Sequence, residues 1–212
     1  MRTYKQAVEN AEKWGNLGWT IPPFASIGFC AEEPPEKPTD ADQKIMSECT
    51  NDNLEQFWKD IRNTQNCNVD DWDEAIANYK DKRYKSCALL LYSMIEHLLI
   101  QAQKQTNTEE NWKTGDKAYE KLEKYWHQQM NTLRSSVHKN FGEYINKNVY
   151  ACLKVFFVSK KNFSLDDSFA YRNRLMHGMF SRKVELKDCM QLFFLYYNTK
   201  ENINFFDAVL TG

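Results

Sequence analysis

Residues that punctuate a chain are scarce in this sequence. Five prolines and seven glycines in 212 residues exclude collagen-like and low-complexity classes. They also argue against many short strands, each of which would need its own turn. Neither sign of charge dominates: 28 Lys and Arg face 29 Asp and Glu, a net charge of −1. Taken whole, that balance argues against a strongly basic nucleic-acid binder and excludes an acidic solvating tail. The six cysteines (Cys30, Cys49, Cys67, Cys87, Cys152, Cys189) include no CxxC pair, so no zinc site is expected. Cys87, Cys152 and Cys189 lie inside apolar helical runs, where a thiol behaves as a small core residue. Long apolar runs are missing as well. CALLLYSMIEHLLI is interrupted by Glu96 and His97 and is too short to span a bilayer, and the start MRTYKQAVENAEKWG has no apolar signal-peptide region. A soluble, cytoplasmic protein without membrane partners is the expectation. No P-loop, GxGxxG, HExxH or GxSxG is present, which removes support for nucleotide-hydrolase, dinucleotide-dependent, zinc-protease and α/β-hydrolase readings.

What is present is bulk. Hydrophobic residues make up 42% and aromatics 14%, enough to bury a substantial core. The expected fold is all-α, a helical bundle (72–212) with an N-terminal helical and Pro/Trp-rich loop extension (1–71). Residues 2–14 read as a short amphipathic helix. The stretch WGNLGWTIPPFASIGFCAEEPPEKPTD holds all five prolines and reads as a loop. Its Trp14, Trp19, Ile21, Phe24, Ile27 and Phe29 suggest that it packs onto the body, the alternative being a ligand-binding lid. A helix is predicted from Asp40 to about Gln65, then a break in which Asp70 or Asp71 caps the next. From Trp72 to about Lys104 the apolar spacing of Ala88, Leu91, Tyr92, Ile95, Leu98, Leu99 and Ala102 predicts a central core helix. Further helices are predicted from about Glu110 through Trp126 and from about Thr132 to Val158. Ser164 and Asp167 resemble a capping box for a helix carrying AYRNRLMHGMFSRK. VELKDCMQLFFLYYN closes the core.

The near-zero net charge conceals a division. Residues 1–78 hold 7 Lys and Arg against 15 Asp and Glu, a net of −8, and the remainder holds 21 against 14, a net of +7. Between 133 and 187 there are 11 basic residues and four acids. Such a surplus is a candidate phosphate-binding surface, or else a solvated helix face balanced by the acidic N-terminal part.

Tyr171-Arg172-Asn173-Arg174-Leu175-Met176-His177-Gly178 carries the most chemistry. On a helix at 100° per residue, Phe169, Leu175, Met176, Met179 and Phe180 share an apolar face with Arg172 near its middle. An arginine there needs a partner: either a ligand, or a core carboxylate such as Glu96 or Glu185, in which case His177 simply ends the helix before Gly178. Asn173 and His177, four residues apart, can address one ligand, while Arg174, Gly178 and Ser181 point away. Among the other histidines, Arg134 and His138 read as a surface pair, His97 as a core-edge residue or second site group, and His127 as solvent-facing.

Arg172-Asn173-x3-His177, on a late helix behind a long helix of the KSCALLLYSMIEHLLIQAQ type, resembles the HEPN domain family of prokaryotic toxins and defence proteins. The resemblance covers about residues 72–200. It implies an all-helical bundle, often a homodimer, in which Arg-polar-x3-His from two protomers forms a ribonuclease site without metal or other cofactor. Arg172, Asn173 and His177 are then the catalytic candidates, and Arg174, Arg182 and Lys183 the candidate RNA contacts. WGNLGWTIPP is faintly similar to bacterial abortive-infection proteins. Some HEPN proteins continue the motif as His-x-Tyr, the tyrosine being modified by a partner enzyme; Met179 stands there in this chain.

Arg172 and His177 are about 140° apart in projection and do not meet within one regular helix, whereas a two-fold axis beside the helix brings two pairs together. The residue types then suit cleavage by 2′-hydroxyl attack, with one His177 as base and the other as acid and Arg172 stabilising the pentacoordinate phosphorane. The products are a 2′,3′-cyclic phosphate and a 5′-hydroxyl. Expected partners are RNA, a second copy and an antitoxin or regulatory protein. A catalytically silent helical module that binds RNA, nucleotide or a protein is the alternative.

Overall fold

A computed structural model describes residues 3–26, 28–64, 67–104, 113–132, 135–158 and 168–211. The described residues form nine α-helices and one 3₁₀ turn (Phe29–Ala31), with no strand among them: α1 Tyr4–Asn16, α2 Pro38–Glu48, α3 Asn51–Arg62, α4 Val69–Lys80, α5 Tyr84–Lys104, α6 Asp116–Thr132, α7 Ser136–Phe156, α8 Arg172–Met176 and α9 Leu186–Thr211. The protein is all-α. Among the described residues no helix is long and apolar enough to cross a membrane.

The innermost element is α9. Leu192, Phe193, Phe194, Leu195 and Tyr196 are five consecutive buried residues, and a helix apolar all round must be enclosed. The predicted central helix, α5, is its neighbour and buries Ala88, Leu91, Tyr92, Ile95, Leu99 and Ala102 as its spacing requires, with Leu98 half-buried. Rings from α3, α4 and α9 interlock: Trp72 stacks on Tyr196 at 5.4 Å and meets Phe57 and Phe193 edge-on at 5.9 and 5.3 Å. Such pairs add about 0.5–1.5 kcal/mol each beyond area burial. Cys87, Cys152 and Cys189 are all fully buried, and burial pushes the Cys152 thiol well up.

The described residues of the 1–71 stretch share this core. The face of α1 formed by Val8, Ala11, Trp14 and Gly15 lies on α7, and a side chain at Gly15 would meet the Asn148 carbonyl at 2.3 Å. The proline-rich stretch is held from both sides. Buried Asn148 accepts from Ile21 N and donates to Ala11 O and Trp19 O, while Asn198 donates to Thr20 Oγ1 and Ile21 O. Phe24 and Trp19 lie against Phe194. With both indoles, Trp14 and Trp19, fully buried and Ile21 held from both sides, the described part of this loop is packed onto the body rather than standing over it as a lid; Ile27 lies outside the described residues.

Several boundaries differ from expectation, and α9 runs on to Thr211, well past the expected VELKDCMQLFFLYYN. Asp40–Gln65 is two helices, because Thr50 accepts from Asn53 N and caps α3. Trp72–Lys104 is also two, parted at Lys82, whose φ of 60° ends α4 without any glycine. Asn68, rather than Asp70 or Asp71, caps α4 by accepting from Asp71 N. Described structure in α6 begins at Asp116 after Gly115 in the left-handed region, and the expected start at Glu110 lies outside the described residues, as do Ser164 and Asp167. Finally, the helix expected through AYRNRLMHGMFSRK has only five residues. It closes in a Schellman turn, Met179 N donating to Arg174 O at 2.8 Å and Gly178 N to Leu175 O at 3.3 Å, which needs the φ of 69° that Gly178 supplies. The single apolar face projected from Phe169 to Phe180 therefore does not form.

Candidate functional site

Residues before and after α8 fix it in place. Tyr92 of α5 donates its hydroxyl hydrogen to Ala170 O, Phe169 packs edge-on against Phe156 at 5.9 Å, and Leu175 is buried. The first residue of α8, Arg172, thereby faces α5. Its Nη2 donates to Glu96 Oε2 at 2.7 Å, and its Nη1 to Asn173 Oδ1 at 2.9 Å. The side chains of Arg172 and Glu96 are 18% and 14% exposed. Glu96, one of the two carboxylates named as a partner, is the one used; Glu185 is exposed at the start of α9 and donates its backbone N–H to Asp188. Partial desolvation strengthens such a pair but charges a desolvation penalty against it.

His177 takes no part in that network. It is the C-cap residue of α8, its backbone N–H donating to Asn173 O at 3.1 Å, and it is exposed. No hydrogen bond or ion pair joins its ring to Arg172 among the described residues, in keeping with the angular separation of the two. Met176, Met179 and Leu186 are 47%, 44% and 37% exposed, three of the five large hydrophobic side chains so exposed among the described residues. Met176 and Met179 flank His177 in the chain.

The remaining candidates are mostly committed within the chain. Arg174 donates from Nε and Nη2 to Met179 O at 3.3 and 3.0 Å. Arg182 grips Asp188 with both Nη atoms at 2.7 Å, Asp188 being fully buried, and stacks over Phe180 at 4.9 Å. Lys183 is exposed. Elsewhere in the basic stretch, Lys187 pairs with Asp42 at 2.6 Å, Lys147 with Glu12 at 3.7 Å, and Lys154 lies over Tyr150 at 5.3 Å. Arg134, Lys160 and Lys161 lie outside the described residues. The division of charge seen in the sequence is thus partly closed by pairs between the acidic and basic parts.

Of the other histidines, His97 is exposed and contacts Gln101 at 3.2 Å, and His127 is exposed beside Glu123 at 3.8 Å. His138 is exposed with its ring edge-on to Phe205 at 6.2 Å; its expected partner Arg134 is not described. No three His, Cys, Asp or Glu side chains are grouped to hold a metal ion among the described residues. A cleft of about 420 Å³ opens between α6 and α7, lined by Trp126, Lys139 and Tyr150 among others. Neither it nor two smaller clefts is lined by Arg172, Asn173 or His177.

Two participants were not foreseen from the sequence. Gly115 donates its backbone N–H to Glu96 Oε1 at 2.8 Å, and no side-chain pattern reveals a backbone donor. Asp188 could have been noticed, as an acid within the apolar run VELKDCMQLFFLYY. Comparison with protein-family models, with curated proteins and with solved structures finds no match.

Proposed function

We propose that the chain is a HEPN-type endoribonuclease that acts as a homodimer in toxin or abortive-infection defence and cleaves single-stranded or looped RNA without metal. The observation that carries this reading is the arrangement at α8. Arg172 is oriented by Glu96 and Asn173, while His177, at the other end of the same short helix, stands exposed beside Met176 and Met179. A second copy seated on Met176 and Met179 covers them and brings its own Arg172 and His177 to the same place.

In that assembly one His177 takes the 2′-hydroxyl proton and His177 of the partner subunit gives a proton to the departing 5′-oxygen. Arg172 places fixed positive charge against the developing phosphorane, where preorganised donors are most effective. Asn173 orients a phosphate oxygen. Exposed Lys183 is a candidate RNA contact; Arg174 and Arg182 contribute through the turn and the ion pair that shape the α8 surface.

A catalytically silent module is the second reading, favoured by the Arg172–Glu96 pair and by the number of basic residues engaged within the chain. One experiment separates them. Purified protein is expected to cut an unstructured RNA in EDTA, with His177→Ala and Arg172→Ala each reducing the rate by about 10²-fold or more. RNA that stays intact yet is bound in a salt-sensitive way supports the module instead.

A further inference from the structure

The carboxylate of Glu96 is divided between two donors. Oε2 accepts from Arg172 Nη2 at 2.7 Å, and Oε1 accepts from the Gly115 backbone N–H at 2.8 Å. A carboxylate that turns both oxygens to one guanidinium makes the stronger, fork-to-fork pair. Here one oxygen is withheld, and Arg172 retains a buried Nε–H with no hydrogen-bond partner among the described residues. A buried donor left in that state costs about 1–3 kcal/mol, so something must maintain the arrangement.

The turn before α6 maintains it. Gly115 has a φ of 61°, and a Cβ at that position would meet nothing within 4 Å; glycine serves the backbone conformation there and not a close approach. Two residues earlier the turn is anchored by buried Gln103. Its Nε2 donates to Lys113 O at 2.7 Å and its Oε1 accepts from Lys113 N at 2.9 Å. Gln103 fixes Lys113, the Gly115 amide is aimed at Glu96, and Glu96 has one oxygen left for Arg172.

We propose that Gln103 and Gly115 are positioning residues that keep Glu96 from closing both oxygens on Arg172, so that the two Nη groups, each using one hydrogen within the chain, keep the other for a phosphate. This rests on Arg172 being the phosphate contact of the function proposed above. Two states of one carboxylate follow. With the turn in place Glu96 is shared and Arg172 is competent; with the turn released Glu96 closes on Arg172 and competes with phosphate. Whatever displaces residues 113–115 then acts on the site from α6.

The test uses inorganic phosphate as the probe and the NMR resonance of the Arg172 Nε–H, assigned by its loss in Arg172→Lys, as the readout. In the wild-type chain phosphate is expected to shift that resonance. Gln103→Leu is expected to weaken phosphate binding by about tenfold, the effect of about one hydrogen bond. Adding Glu96→Gln is expected to restore it, since a neutral amide cannot clamp the guanidinium as a carboxylate does. Gly115→Ala strains the same amide without a steric clash and is expected to act in the same direction, which covers the case in which Gln103→Leu fails to fold. Unchanged phosphate affinity in folded Gln103→Leu or Gly115→Ala, failure of Glu96→Gln to restore it, or no phosphate response at Arg172 overturns the proposal. Phosphate binding with this pattern but no RNA cleavage overturns the nuclease reading and leaves the positioning roles standing.

Discussion

Replacing Arg182 by Met separates a structural cation from an RNA contact. Asp188 is fully buried, and both of its oxygens face Arg182 at 2.7 Å; Oδ2 also accepts the Glu185 N–H at 2.8 Å. Removing the guanidinium leaves a buried carboxylate with, among the described residues, that one backbone donor. Breaking a buried pair from one side costs about 3–5 kcal/mol. Because the Arg182 side chain is 25% exposed, water can reach part of the gap, so the lower end, about 3 kcal/mol, is expected. For a chain of 150–250 residues each kcal/mol moves Tm by about 2–4 °C, which places the loss at about 6–12 °C by differential scanning calorimetry. Arg182→Met/Asp188→Asn should recover much of it, because the amide keeps an acceptor for Glu185 N while losing the charge. A Tm within about 2 °C of wild type together with weakened RNA binding would show that Arg182 is a free surface cation and that the reasoning is wrong.

Two further changes probe the packing and the buried thiols. Gly15→Ala improves helix propensity by about 1 kcal/mol, yet its Cβ would lie 2.3 Å from Asn148 O and 2.7 Å from Ala151 Cβ. Net destabilisation of about 1–3 kcal/mol is expected from separating α1 and α7; a urea midpoint equal to or above that of wild type would contradict the close approach. Stability should also fall in alkali. Burial pushes the Cys49 thiol up to about 12 and raises Cys30 and Cys152 as well, whereas an unfolded thiol titrates near about 8.5. Above that pH the unfolded chain holds fewer protons than the folded one, so this contribution is complete below about pH 8.5 and is lost progressively toward pH 12. Guanidinium midpoints at pH 7, 8.5 and 10 check the sign, and a midpoint that rose with pH would refute it.

Helical class and the buried face of α5 were legible because apolar periodicity over twenty or so residues has few other interpretations. Helix ends were less so. Lys82 enters the left-handed region without being Gly or Asn, and nothing local announces it. The seven-residue span from Arg172 to Gly178 contains its own stop signal, and of the two alternatives the sequence allowed, the one in which His177 ends the helix before Gly178 is the one that forms, which keeps Met179 and Phe180 off the helical face. At the candidate site, the position of Arg172 on the projected face indicated that it needs a partner and named Glu96 as one of two carboxylates that could serve. It could not indicate that Gly115 shares that carboxylate, since a backbone amide has no signature in the sequence, nor that Arg182 is committed to Asp188, since both ends of an ion pair look like ordinary surface charges until the chain is folded.

The chemical ends of the cut RNA bear most directly on the proposed function. After incubation in EDTA, fragments from the wild-type chain should carry a 2′,3′-cyclic phosphate and a 5′-hydroxyl, a substrate with a single 2′-deoxynucleotide at the cut position should survive, and His177→Ala of unchanged Tm should give no product. Fragments with 5′-phosphate ends, or the same fragments from His177→Ala, would contradict it.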